Sequence, residues 1–190
     1  MKPNTIRLIS AVLVLVLASL ACGTSSTPVP ATSVPNVPPA PTVSNEAVNQ
    51  WAATATASSE FGVSGWIATQ ATGAPDVPEC GDNAGAWAAS STDTVEWLQL
   101  GYTTPVYATE VVIYITYNPD YVTAVELIEP NGSTHTVYTG HPTPMDCPDK
   151  VTVSFPKTTY LVSGVIITID QTTLNDWSEI DAVQLTGTLR

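Results

Sequence analysis

Between Val106 and Tyr117 the chain reads VYATEVVIYITY, a run crowded with β-branched and aromatic residues. Val111, Ile113, Ile115 and Tyr117 recur at a spacing of two, so they share one face of an extended strand. β-branched side chains pack well on a pleated surface and lose rotamer freedom in a helix. This run therefore commits the chain to a sheet. Similar segments follow and precede it: Trp51–Ser58, Val95–Leu100, Thr123–Glu129, Ser133–Tyr138, Val151–Phe155, Leu161–Asp170 and Ile180–Leu185. Gly, Pro, Asn and Asp separate them. Pro130-Asn131-Gly132 reads as a hairpin turn, because Asn-Gly tolerates positive φ. Asn131-Gly132-Ser133 is also a glycosylation sequon, but the turn suffices to explain it.

No segment carries a convincing helical period. About eight short strands at this spacing predict an all-β chain, a β-sandwich of jelly-roll type. The expected core is Trp97, Leu98, Leu100, Val111, Ile113, Ile115, Val125, Leu127, Val165, Ile167, Ile169, Val183 and Leu185.

The first 44 residues do not belong to that pattern. Lys2 and Arg7 precede an apolar run, Leu8–Leu20, that ends in Ala21-Cys22. The run is 13 residues long, and a membrane span needs roughly 20. The order basic, apolar, small is that of a secretory signal peptide, here residues 1–21. The sequence Ala18-Ser19-Leu20-Ala21-Cys22 resembles the bacterial lipoprotein signal. That resemblance implies cleavage before Cys22, acylation of its thiol and anchoring to a membrane by an N-terminal lipid. An ordinary secreted protein is the alternative. Residues 22–44 are then a linker rich in Pro, Ser and Thr, with Pro at 28, 30, 35, 38, 39 and 41. Pro removes backbone donors and fixes φ, so this stretch is expected to be a disordered tether. Extended as polyproline II it would reach roughly 60 Å. Residues 45–190 form the one remaining domain, large enough for its own core.

Charge excludes one class of partner. Without Lys2 and Arg7 the chain keeps three basic residues, Lys150, Lys157 and Arg190, against 17 acidic ones, a net of −14. Nucleic acid and anionic lipid need a basic footprint, which is lacking. Of the three cysteines, Cys80 and Cys147 remain if Cys22 is acylated. Outside the cytoplasm a leftover pair is expected to join as a disulfide, with free thiols or a metal site as alternatives.

In order along the chain, Ala55-Thr56-Ala57-Ser58-Ser59, Gln70–Asp76 with Gly81-Asp82 and Ala86-Trp87, Glu96–Leu100, Val106–Ile113 and Trp177–Leu185 resemble galactose-binding-like domains of the discoidin or coagulation-factor type C group. The similarity spans about residues 47 to 188. It implies a jelly-roll sandwich with ligand loops at one end and binding rather than catalysis. It also implies a structural calcium ion, with Asp76 and Glu179 as candidate side-chain ligands and Asp82 as a third. Calcium takes six to eight oxygens, commonly carboxylates plus carbonyls. The other reading of these residues is a turn cap at Asp76 and a surface carboxylate at Glu179.

Candidate sugar contacts are the aromatic and polar loop residues Trp66, Tyr117, Asn118, Tyr121 and Trp177. A pyranose face stacks on an aromatic ring while amides and carboxylates fix its hydroxyls; the same rings serve equally as packing. No Arg precedes Arg190 in the domain, which argues against phospholipid head groups. Catalysis is not expected. His135, most simply an exposed strand residue, and His141 lack a third zinc ligand at plausible spacing. Glu179 and Asp181 read as a metal or loop-anchoring pair. The expectation is a lipid-anchored, extracytoplasmic module that binds a polysaccharide or glycoconjugate. A protein-binding adhesion or accessory module, or a structural surface lipoprotein, is the alternative.

Overall fold

The computed structural model describes residues 45–141 and 146–190, which fall within one compact unit, Val43–Arg190. The expected signal peptide, Cys22 and the linker to residue 44 lie outside the described residues. Eight strands follow in order: β1 (Ala47–Trp51), β2 (Thr54–Ala57), β3 (Val95–Tyr117), β4 (Val122–Ile128), β5 (Thr134–Thr139), β6 (Asp149–Ser154), β7 (Val162–Asp170) and β8 (Glu179–Thr188). The helical content described is two short 3-10 turns, Ala68–Ala71 and Pro119–Tyr121. All pairings are antiparallel, as the jelly-roll expectation requires.

The 23 residues of β3 organise the sandwich. Its first part, Val95–Gly101, pairs with β2 and β7, and β7 continues to β4 and β5. Its last part, Tyr107–Tyr117, pairs with β8 and β6, and β8 continues to β1. The strand thus passes from one sheet to the other. The transfer falls where its register with β7 shifts between Gly101 and Val106. Pro105 lies in that stretch, where no ladder donor is needed. Close approach at the corner requires glycine: a Cβ on Gly101 would stand 2.4 Å from Thr54 Oγ1, and one on Gly187 would stand 2.5 Å from the Tyr107 carbonyl oxygen.

This long strand was expected as two, Val95–Leu100 and Val106–Tyr117. In turn the expected Trp51–Ser58 strand is two short ones, because Ala52 still bonds the Val183 carbonyl of β8 whereas Ala53 bonds the Gly101 carbonyl of β3. The hairpin at 129–133 forms as expected, with Gly132 at φ 90° and Asn131 Oδ1 accepting the Ser133 N–H.

The core lies between the sheets. Leu98, Leu100, Val111, Ile113, Ile115, Val125, Leu127, Val165, Ile167, Ile169, Val183 and Leu185 are all buried in it. Trp97 is not: it is 40% exposed. The alternation that turns Leu98 and Leu100 inward turns the residue between the first of them and Glu96 outward. His135 is less free than an exposed strand residue. Its Nε2 lies 2.7 Å from Glu129 Oε1, and its ring stacks on Tyr160 at 3.9 Å.

Two bulges interrupt the β3–β8 ladder at one end. Tyr114 pairs with Ala182 and Ile115 with Ile180, so Asp181 is an extra residue on β8. Tyr117 pairs with Glu179, so Thr116 is an extra residue on β3. The two insertions compensate, and the one on β8 takes Asp181 off the core face that Val183 and Leu185 occupy.

Candidate functional site

The starts of β3 and β8 and the ends of β3 and β7 meet at one end of the sandwich, since Val95 pairs with Asp170 and Tyr117 with Glu179. The 58–94, 118–121 and 171–178 loops therefore converge there. Buried side chains tie them together. Trp87, fully buried, donates its indole N–H to the Ser59 carbonyl at 3.1 Å. Gln171, also fully buried, donates to the Ser91 carbonyl and accepts the Ser178 N–H at 2.6 Å. Trp177 donates its indole N–H to the Ala89 carbonyl at 2.9 Å.

On this scaffold sits a group of three rings. Phe61, 50% exposed, meets Trp66 edge-on at 5.4 Å and Trp177 edge-on at 5.0 Å. Polar groups border them. Trp66 donates its indole N–H to Asp82 Oδ1 at 2.7 Å. Tyr117 donates its hydroxyl to Asp176 Oδ2 at 2.7 Å, and Asn118 donates its amide to the Trp177 carbonyl at 2.7 Å. The bond to Asp176 is the leading reason the Tyr117 phenol is held above its ordinary value. Of the described non-glycine residues, Trp66, Asn118 and Asn175 have positive φ, at 54°, 47° and 57°, and all three lie in these loops. For a residue as bulky as Trp such a backbone is an outlier that the surrounding contacts must hold.

The structure thus brings four of the five expected contact residues together. Tyr121, half-buried at the end of its 3-10 turn, is joined to them by no ring contact or hydrogen bond among the described residues. Phe61 escaped the sequence reading. Phe61 stands alone in a Ser- and Gly-rich stretch with no periodicity, and only the fold shows that it bridges two tryptophans.

The carboxylates expected to hold calcium separate into two pairs. Glu179, 1% exposed at the head of β8, accepts the Asn83 N–H at 2.9 Å. Burial, opposed by that bond and reinforced by the charges of Asp82 and Asp176, pushes its carboxyl up to about 8. Asp181, 2% exposed, accepts the N–H groups of Asp76 at 3.1 Å and Val77 at 3.3 Å. Burial likewise raises its carboxyl. Both residues anchor the 76–83 loop, the second role considered for that pair. Asp82 lies with Glu179, and Asp76 with Asp181. Among the described residues no group of three His, Cys, Asp or Glu is placed to hold a metal. A calcium ion here would need backbone carbonyls to complete its shell; a buried carboxylate with no ion pair among the described residues is compatible with that.

Cys80 and Cys147 are joined, with Cα atoms 5.1 Å apart, and the bond ties the same loop to the start of β6. The Gly81 N–H donates to the Thr116 carbonyl beside it. Such bonds persist in oxidising compartments.

Solved structures share this architecture. Chitosan-binding module 1 of a chitosanase/glucanase from Paenibacillus sp. IK-5 matches at 17% identity and TM-score 0.52, covering 70% of this chain and 92% of that one. The family 32 CBM from C. perfringens NanJ, solved in complex with galactose, matches at 17% identity and TM-score 0.54, covering 73% and 99%. An f-lectin from striped bass (Morone saxatilis) serum matches at 17% identity and TM-score 0.53, covering 73% and 49%. The fold is thus that of galactose-binding-like domains, as the sequence resemblance implied. No curated protein matches by sequence. A family model matches residues 41–190, and by that match the chain belongs to the family described as Pappalysin-1, SD scarf domain, C-terminal.

Proposed function

We propose that this chain is a non-catalytic, extracytoplasmic carbohydrate-binding module whose ligand stacks on the Phe61, Trp66 and Trp177 group. The observation that carries the reading is the position of Phe61, half-exposed and edge-on to both tryptophans at the loop end of the sandwich. Apolar ring faces receive the C–H face of a sugar. Asp82 and Asp176 beside them accept its hydroxyls, oriented by the Trp66 indole N–H and the Tyr117 hydroxyl. The strained backbone at Trp66 supports a functional role, since such strain gathers at ligand sites. The fold also supports it, since structures sharing it are described as chitosan-binding, as a family 32 CBM with galactose, and as a lectin.

Calcium belongs to the proposal as a structural ion, held by Glu179 and Asp82 with carbonyls of the 76–83 loop. Its charge would offset the burial, and the lesser repulsion from Asp82 and Asp176, that raise the Glu179 carboxyl. Anchoring through an acylated Cys22 and a Pro-rich tether completes the reading and places the module at a cell surface.

A glycan array probed with the intact chain, in calcium and in chelator, tests the function. Selective binding that Phe61→Ala abolishes is the expected result. No glycan retained by folded protein in either buffer would overturn it. A protein-binding adhesion role is the second reading. Val63, 99% exposed beside Phe61, favours it by extending the apolar surface.

A further inference from the structure

Away from the ring group, where the 75–78 loop lies against β3, β6 and β8, a cavity of about 460 Å³ opens. None of Phe61, Trp66, Tyr117 or Trp177 lines it. Its volume is that of a small-molecule site, within the range of about 300–1,000 Å³. Pro75, Pro78 and Pro148, with Val77 and the Tyr114 ring, make most of its wall apolar. Of the polar residues in that wall, two are buried, and both are the bulge residues. Asp181 is 2% exposed, and Thr116, 2% exposed, has a hydroxyl with no hydrogen-bond partner among the described residues. Thr116 shares the face of Tyr114 two residues before it, whereas without its bulge Asp181 would share the core face of Val183 and Leu185.

The charges at this cavity do not balance. Asp76, Asp149 and Asp181 line it against a single cation, Lys150. The Lys150 ammonium stands 6.0 Å from the centre of the Tyr114 ring and makes no ion pair among the described residues. A bare metal ion would find prolyl and aromatic rings where it needs six to eight oxygens. An organic cation fits better. Its apolar stem packs on the prolines, its charge meets Asp181, and the Tyr114 ring attracts it through its π face. We propose that the cavity at the paired bulges of β3 and β8 is a binding site for an ammonium or guanidinium group carried on a short apolar chain.

The test is a titration of the intact ¹⁵N-labelled chain followed by amide chemical shifts. The probes are n-butylammonium, the capped peptide Gly-Gly-Lys-Gly-Gly, and 1-pentanol as the neutral control. Saturable millimolar shifts at Tyr114, Thr116 and Asp181 with a cationic probe, and not with 1-pentanol, are expected. Saturation by butylammonium alone assigns a free amine, and saturation by the peptide assigns a basic side chain of a partner protein. Asp181→Asn, which keeps an acceptor for the 76–77 N–H groups, should weaken the cation at least about tenfold, the effect of losing a charge-assisted contact. Lys150→Met leaves that turn untouched and should tighten it severalfold by removing the competing ammonium. The absence of saturable shifts, an equal response to 1-pentanol, or affinities unmoved by both variants would overturn the proposal.

Discussion

The buried carboxylate of Glu179 accepts the backbone N–H of Asn83 at 2.9 Å, and this one bond joins the head of β8 to the loop that carries Asp82. Its cost is a carboxyl group held in a low-dielectric position beside two other carboxylates. Four expectations follow from this bond and from the contacts around it.

Glu179 titrates at about 8 in the folded chain against an ordinary value of 4.5. Between these values the folded state binds more protons than the unfolded state. Stability is therefore fully present below pH 4.5 and falls as pH rises toward 8. The slope approaches about 1.4 kcal/mol per pH unit, or about 3–6 °C in Tm. Thermal unfolding in chelator across that range should show the decline, and Glu179→Gln should flatten it. If calcium binds at Glu179 and Asp82, its addition at pH 8 should restore the lost stability. A wild-type profile as flat as the variant's would refute the assignment.

Phe61 packs edge-on against two tryptophans yet is half exposed. Phe61→Ala should abolish glycan retention in affinity electrophoresis while shifting Tm little. Trp177→Ala should do more damage to the fold, since it also removes the donor to the Ala89 carbonyl. A cost of about 3 kcal/mol in urea unfolding is expected. Equal destabilisation by both changes would make Phe61 a packing residue.

The Cys80–Cys147 bond closes a loop across a separation of 67 residues. By the chain-entropy relation its removal in a Cys80→Ser, Cys147→Ser variant should cost about 4 kcal/mol. The urea midpoint, compared with that of the oxidised chain, reads this directly. A variant as stable as the parent would mean that the 76–83 loop is held by Glu179 and Asp181 alone.

Trp97 lies outside the sandwich and Leu98 inside it. Leu98→Ala should cost about 2–5 kcal/mol, the usual range for a fully buried leucine. Trp97→Thr should change stability by less than about 1 kcal/mol. Thermal melts of the two variants distinguish the facings, and a Trp97 variant as damaged as the Leu98 one would reverse them.

The strands were legible because alternation is a local property. Val111, Ile113 and Ile115 announce their face within a few residues, and so do Val165, Ile167 and Ile169. Trp97 misled because size and apolarity suggested the core, whereas its position in the alternation placed it outside. The pairing of Cys80 with Cys147 was legible by counting. Phe61 gave no signal, because an isolated aromatic in a loop has no pattern to belong to.

Local chemistry alone therefore determined that this chain forms an antiparallel sandwich with loops rich in aromatic and acidic residues. Only the tertiary structure decided what those loops do to one another. Phe61 meets Trp177 across more than a hundred residues of sequence. Asp181 reaches the cavity rather than the core face of Val183 and Leu185 because it is one residue out of register, a displacement that exists only between paired strands. Periodicity fixes a side chain's face within its own strand, whereas register and loop convergence are set by partners far along the chain.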